Sequence, residues 1–526
     1  KNEKDPAMKS AVSIIVPNWN GADLLQAYLP SVQKAQACYG GATELIVVDD
    51  ASTDDSVVML TKDFPRVRVV RHRRNKGFGQ ACGSGVHAAS HPYIILLNSD
   101  VAVYPDFIEP LLKSFDDPSV FAASPLILDE NGKMEDVTLA GSYRRKKETV
   151  GDIDILATTS NPSKAMESFT GFEETERVLA KGETKSSIKL RTGLQVDLRI
   201  VKKKEFGAAL LYFTGCKEHS IALRKMARER NYKLNEYGIF KGDKQIASKT
   251  EKEMYNALDL RYIEPELREN KGEFEASGED KLPKLVTLND IKGDLHTHTN
   301  ETDGIYPLEK MVEAAREKGY AYYAVTDHSK KVSMANGLDE KRLAAQIREI
   351  DDLNSKLNDI QVLKSIEVDI LEDGKLDLPD DILKELDLVI CSVHYNRNLS
   401  KKKQTNRILR AMENPFFNIL GHPTGRLIGE RRGYDIDMEK IMKEAKNKGC
   451  YMEINANPER LDLNDDHARY AREIGLKVSI STDAHSMDNL HFMEYGVAQA
   501  RRGWLEKKDV LNTHSLRQLK KLLERN

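Results

Sequence analysis

The chain has 526 residues, 40% hydrophobic and 31% charged, with a formal net charge of -3. That length allows three or more domains, and the near-neutral balance excludes a uniformly basic nucleic-acid coat while leaving local basic patches open. Five scattered cysteines (38, 82, 216, 391 and 450) show no paired spacing, which predicts free thiols and a reducing, cytoplasmic setting; no run is long enough for a membrane span, and no signal peptide is visible. A chain opening on Lys1 rather than Met is expected to be a fragment or a processed product.

In chain order, Ala11–Pro17 reads as a buried strand, Glu44–Ser52 as a second that ends in acids and a turn, and Val67–Val70 as a third. Gly77-Phe78-Gly79 precedes a small-residue helix over Gln80–Ala89, and Tyr93–Asp100 is a fourth strand ending in an acid. Polar groups at the carboxyl ends of such strands predict a Rossmann-like half-domain. The strand to Pro17, the Asp49-Asp50-Ala51-Ser52 turn, Asn75-Lys76-Gly77 and Asn98-Ser99-Asp100 together resemble the nucleotide-binding half of a family 2 glycosyltransferase of GT-A fold. The resemblance implies that Asp49 and Asp50 hold the base and ribose of a nucleotide sugar, with Pro17 beside them, and that Asp100 holds a divalent ion on the diphosphate. It stops near Asp136, and no acceptor half follows.

From Val137 the character changes. Gly141-Ser142-Tyr143-Arg144-Arg145 leads into Val150–Leu156, where Asp152 and Asp154 alternate and so share one face of a strand. Asp197 lies in another strand, Leu194–Val201. Three converging carboxylates hold two divalent ions for in-line phosphoryl transfer, and a Gly-Ser turn followed by arginines offers amides, a hydroxyl and a guanidinium to phosphate oxygens. This ordered set resembles the palm and thumb of a family X DNA polymerase. The resemblance implies that Asp152 and Asp154 bind both catalytic metals (Mg²⁺ or Mn²⁺), and that Asp197 assists the primer 3'-hydroxyl. It assigns the dNTP triphosphate to Gly141, Ser142 and Arg145, and the sugar to Tyr212-Phe213-Thr214-Gly215. Two departures stand out. Ser220 replaces the usual base-contacting Asn, and the glycosyltransferase-like half stands where a lyase-like domain and fingers are usual.

Beyond residue 290, apolar runs end repeatedly in metal-binding side chains. Asp290–Leu295 ends in His296-Thr297-His298, with Asp303 shortly after; later runs end at His328, Glu367, His394, His422, and Asp483 with His485. Helix-like stretches over Leu308–Lys318, Asp339–Leu357, Met438–Lys448 and Asp465–Ile474 alternate with them, which predicts a parallel barrel with its site at the C-terminal strand ends. The region resembles the polymerase-and-histidinol-phosphatase (PHP) domain of bacterial family X polymerases. The resemblance implies a three-metal cluster on those nine residues, with Glu367 and Asp483 as the bridging candidates, and a 3'-5' exonuclease acting on DNA ends; mixed imidazole and carboxylate ligation suits Mn²⁺, Zn²⁺ or Fe²⁺. Arg397, Arg426 and Arg460 are candidates to steady phosphate charge, and Asp377 and Asp462 to support the ligands.

The expected fold is therefore α/β multidomain. It comprises an N-terminal GT-A/Rossmann-like half-domain (1–136), an α+β polymerase palm (137–205), a thumb with linker (206–290) and a C-terminal distorted (βα)7 PHP barrel (291–526). The expected function is a metal-dependent DNA phosphoesterase with a residual polymerase core, acting on 3', gapped or single-stranded DNA ends. A nucleotide-sugar transferase and a non-catalytic DNA-binding scaffold are the competing classes. Intact ligands argue against the scaffold, and the missing acceptor half argues against the transferase.

Overall fold

The computed structural model describes residues 10–113 and 134–524. The chain forms two compact units that divide between residues 126 and 127.

The first unit is a parallel sheet in the order β3-β2-β1-β4, with β1 Val12–Asn18, β2 Thr43–Asp49, β3 Arg68–Arg71 and β4 Tyr93–Leu96. Alternation in β1 builds a core on each face. Val12, Ile14 and Val16 pack with Leu25, Leu29 and Val32 of the helix Ala22–Tyr39, while Ile15 packs with Ala81 of the helix Phe78–Ala88. The second helix needs its small residues, because a Cβ on Gly85 would stand 2.3 Å from a methyl of Ile15.

The second unit begins with a five-stranded sheet in the order β5-β6-β9-β8-β7: β5 Met134–Leu139, β6 Asp152–Thr159, β7 Thr175–Lys181, β8 Lys185–Leu190 and β9 Gln195–Ile200. Only the β6–β9 pair within it is parallel, as an α+β palm requires. The helices Phe206–Thr214 and Lys217–Glu229 follow, then a small antiparallel sheet of β10 Lys233–Asn235, β11 Gly238–Lys241 and β12 Lys244–Ala247.

A seven-stranded parallel sheet then runs in sequence order: β13 Gly293–Asp294, β14 Tyr322–Val325, β15 Gln361–Asp369, β16 Leu388–Ser392, β17 Ile419–Leu420, β18 Tyr451–Asn455 and β19 Val478–Ser481. It closes on itself just past the first and last strands: Asp483 N donates to His296 O at 2.9 Å, and His298 N donates to Ala484 O at 2.8 Å. Lower in the seam the Asn512 side chain stands in for a strand. Its amide donates to Gly293 O (2.8 Å) and Ile480 O (2.6 Å), and its carbonyl accepts from Ile480 N (3.0 Å). The first strand is shorter than the apolar run over 290–295 suggests, because Thr287 and Asp290 form a capping box that turns Leu288–Asp290 into a single 3₁₀ turn.

Palm, thumb and barrel are tied together by ion pairs. Arg426 pairs with Glu148 at 2.7 Å, Arg501 with Glu266 at 2.7 Å and Arg502 with Glu269 at 3.1 Å.

Candidate metal centre and nucleotide site

The barrel's C-terminal mouth collects the nine predicted ligands. His296 and His298 follow β13, and both are fully buried. Glu367 lies near the end of β15, with its carboxylate at the middle of the group. It stands 2.8 Å from His328 Nδ1, 2.9 Å from His422 Nε2, 3.4 Å from His394 Nε2 and 3.5 Å from His296 Nε2. Asp483 lies 3.2 Å from His298 Nε2 and 3.6 Å from His296 Nε2. Asp303 comes back from its loop to within 3.4 Å of both His328 and His485. Three overlapping sets have donor atoms close enough to share an ion: His298, Asp303, His328 and His485; His296, His298 and Glu367; His328, Glu367 and His394.

The donor set fits divalent ions on physical grounds. His296 Nε2, both ring nitrogens of His298, His328 Nδ1, His422 Nδ1 and Glu367 Oε2 are buried and make no hydrogen bond. Orphaned buried polar atoms of this kind cost free energy unless something coordinates them. Burial, with His485 and His328 close by, takes His298 down to about 3, so it presents a neutral ring. At His328 burial pulls downward too, but Glu367 and Asp303 prevail and hold it at about 10 without metal. Glu367 is driven well below the usual range: burial opposes this, and His394, His328 and His296 overcome it.

Several supporting acids were not visible in the sequence pattern. Glu453, fully buried in β18, accepts from His296 Nδ1 at 2.7 Å and from the His422 backbone at 2.6 Å. That bond fixes the His296 tautomer and aims Nε2 inward. Asp369 serves His394 likewise at 3.1 Å, and Asp327 pins the ligand loop by accepting from Thr299, Thr302 and Gln346. The one available signal was an acid inside an otherwise apolar strand. Asp462 accepts from Thr424 N and Gly425 N and shapes the loop after His422. Asp377 instead accepts from Lys331 N, on a loop beside the pocket.

The three arginines differ. Arg460 lines the pocket, with Nε 3.4 Å from Asp483. Arg397 stands 5.6 Å from the Tyr434 ring centroid and donates to Gly425 O. Arg426 is committed elsewhere, to Glu148 and to the Arg460 and Leu461 carbonyls.

In the palm, β6 and β9 pair so that Asp154 stands beside Asp197, with Asp152 two residues earlier on the same strand. Burial raises the Asp154 carboxyl, and the charges of Asp152 and Asp197 raise it further, the mark of acids waiting for a cation. Asp197 is held by Lys185 at 3.0 Å and by Gln195 at 2.9 Å. A cleft of about 420 Å³ is lined by Gly141, Ser142, Arg145, Tyr212 and Gly215 along with Asp152 and Asp154; Ser220 also faces it. Gly141 takes a positive φ of 61°, and a Cβ there would meet Asp154 Oδ2 at 2.3 Å. The guanidinium of Arg145 pairs with Glu269 at 3.1 Å and donates to Thr214 O, which fixes it at the cleft wall.

In the first unit, Pro17 and Asp49 are buried in β1 and β2. Asp50 is buried too, and binds His72 at 2.6 Å and the amides of Lys76 and Gly77. Burial acts to raise its carboxyl, and these hydrogen bonds outweigh that and lower it. Asp100 is exposed.

The family model for glycosyl transferase family 2 matches residues 13–166, a span that runs on through Asp152 and Asp154. The DNA polymerase beta thumb model matches 209–269 and the PHP domain model 294–457; the latter range ends before Asp483 and His485. The DNA polymerase/3'-5' exonuclease PolX of Bacillus subtilis (strain 168) is 41% identical over 391 residues, 74% of this chain and 68% of that protein. A probable phosphatase of Thermoanaerobacter sp. (strain X514) is 32% identical over 233 residues, 42% of this chain and 89% of that protein. The crystal structure of Leishmania infantum polymerase beta in a ternary complex aligns with a TM-score of only 0.22 at 25% identity, over 25% of this chain and 67% of that one. The extent and level of the similarity to PolX show that this chain belongs to the bacterial family X DNA polymerases that carry a PHP domain.

Proposed function

We propose that the chain is a metal-dependent DNA phosphoesterase of the 3'-5' exonuclease type, serving DNA repair, with its hydrolytic site in the barrel. The observation that carries this reading is the convergence of six histidines and three carboxylates, with several buried ring nitrogens that face carboxylates yet make no hydrogen bond. Up to three Mn²⁺ or Zn²⁺ ions fit that donor set. When bound they polarise a phosphate and acidify water. Glu367 and Asp483, each facing several imidazoles, would share in holding the ions, and Glu453 and Asp369 orient the rings of His296 and His394. Arg460, which lines the pocket and also faces Asp483, would offer positive charge to a phosphate oxygen. Attack of water on phosphorus with cleavage of the P–O3' bond releases a 5'-mononucleotide and leaves a new 3'-hydroxyl.

Asp152, Asp154 and Asp197 form a separate nucleotidyltransferase core for two Mg²⁺ or Mn²⁺ ions and a dNTP, held by Gly141, Ser142, Arg145, Tyr212 and Gly215. The glycosyl transferase match supports a second reading for the first unit, binding of a nucleotide sugar through Asp49, Asp50 and Asp100. The functional parts are 1–136, 137–205, 206–290 and 291–526.

The test uses labelled single-stranded and gapped DNA with Mn²⁺, with and without dNTPs. Stepwise release of mononucleotides is expected, and gap filling is expected to be weak. No release from any 3' end at any Mn²⁺ or Zn²⁺ concentration would sink the exonuclease reading. Rapid filling of a short gap would show the palm to be a full polymerase.

A further inference from the structure

The pocket above the metal centre, about 440 Å³, has walls of two kinds. The floor is the imidazole and carboxylate cluster, with Arg460 to one side. Another wall is apolar: Val332, Met334 and Ala335 around the 3₁₀ turn Ser333–Ala335, together with Tyr395. Val332 and Ala335 are buried, yet Met334 is 93% exposed.

The turn that presents Met334 is fixed. Ala335 N and Gly337 N both donate to Val332 O (3.1 and 3.2 Å), and Leu338 N donates to the carbonyl of His328 at 2.7 Å. Arg342 donates to Asn336 O (2.6 Å) and Glu301 O (2.5 Å), tying the turn to the loop that carries Asp303. Gly337 lets the chain pass where any Cβ would fall 2.0 Å from Ser329 O. A thioether is therefore held in water by a rigid backbone, a few residues past His328. Met334 also lines the pocket that holds His328, Glu367 and His394, so its exposed thioether is within reach of a ligand seated there.

A phosphate gains nothing from this wall, and the pocket's volume lies in the range that accommodates whole small molecules. The partner of the wall must be flat or apolar and joined to a phosphate. A nucleobase meets both conditions, and stacking on a polarisable side chain tolerates any base. Lys331, whose Nζ stands 5.9 Å from the Tyr395 ring centroid, places a cation near the same wall. We propose that Met334, on the same pocket wall as Tyr395, seats the base of the terminal nucleotide whose phosphodiester lies on the metal centre, so that the site selects nucleic-acid ends over simple phosphate esters. This inference rests on the phosphoesterase reading above.

The test compares two 5'-labelled oligonucleotides, one ending in thymidine and one in an abasic tetrahydrofuran residue, cut by the full chain with Mn²⁺. The wild type should remove the thymidine end with a kcat/KM roughly tenfold higher. Met334→Ala should erase that preference by raising KM for the thymidine end while leaving the abasic end unchanged, and Met334→Leu should retain most of it. At a position so exposed, neither change threatens the fold. Equal losses on both substrates, or an unchanged preference in Met334→Ala, overturn the inference while sparing the phosphoesterase reading. A wild type inert on both ends overturns the phosphoesterase reading and the inference with it.

Discussion

Glu367 lies within 3.8 Å of five imidazoles, whereas Arg460 reaches the cluster at one edge. Glu367→Ala is therefore expected to cut mononucleotide release by roughly a hundredfold or more, and Arg460→Ala by less. Asp152→Ala should leave release intact, because its carboxylate belongs to the palm; loss of release there with survival in Glu367→Ala would place hydrolysis in the wrong half. Glu453→Gln should weaken metal affinity by roughly tenfold to a hundredfold, read by competition with a chelating dye. The nine ligands were legible because each terminates an apolar run or lies just beyond one. Glu453 was not: an acid inside the largely apolar strand β18 signals burial, but its partners, the His296 ring and the His422 backbone, lie far away in sequence. Arg426 misled for a related reason: its partner, Glu148, lies far away in sequence. Glu251 gives a pH test. Burial acts to raise its carboxyl, but Arg144 and Arg268 bring it down from 4.5 to about 2. A depressed folded pKa contributes stability present above 4.5 and lost as pH falls from there toward 2, here about 3 kcal/mol. Urea midpoints of wild type and Glu251→Gln should differ near pH 6 and converge toward pH 2; a pH-independent difference would mean the arginines do not act through charge.

Among the elements, the barrel strands were readable as alternating apolar runs, and helix bounds such as Met438–Lys448 and Asp465–Ile474 coincide with the sequence reading. β13 was overcalled because periodicity cannot see that a capping box consumes its first residues. The Asn512 contribution was invisible, since a side chain that replaces a strand has no pattern. Asn512→Ala strips partners from three buried backbone groups and should cost about 3 kcal/mol by urea denaturation. A change below about 0.5 kcal/mol would mean that water takes its place. In the palm, Gly141→Ala should weaken Mn²⁺-dependent binding of a fluorescent dNTP roughly tenfold, from left-handed strain and the clash with Asp154. Unchanged affinity would show that β5 and β6 can separate to admit a methyl group.

At the scale of the molecule, Trp19 is exposed in the first unit, while Trp504 is buried in a core shared by thumb and barrel residues. In Trp19→Phe the urea-induced fluorescence change should therefore follow Trp504 and coincide with loss of phosphoesterase activity. Activity that outlasts it would mean the barrel stands without the thumb. The closure of that barrel has a last implication. Its first strand is two residues long, and few backbone hydrogen bonds join its beginning to its end. Yet His296 and His298 at the beginning, and Asp483 and His485 at the end, face the same cluster of donors. An ion held there would work as a buckle on a belt, fastening two ends of the chain that the backbone only brings together. Saturation at about a hundred times Kd would add about 2.7 kcal/mol to folding stability. Chelation should lower the melting temperature of Glu367-intact protein and leave that of Glu367→Ala almost unmoved; equal shifts in both would mean the belt is fastened by protein alone.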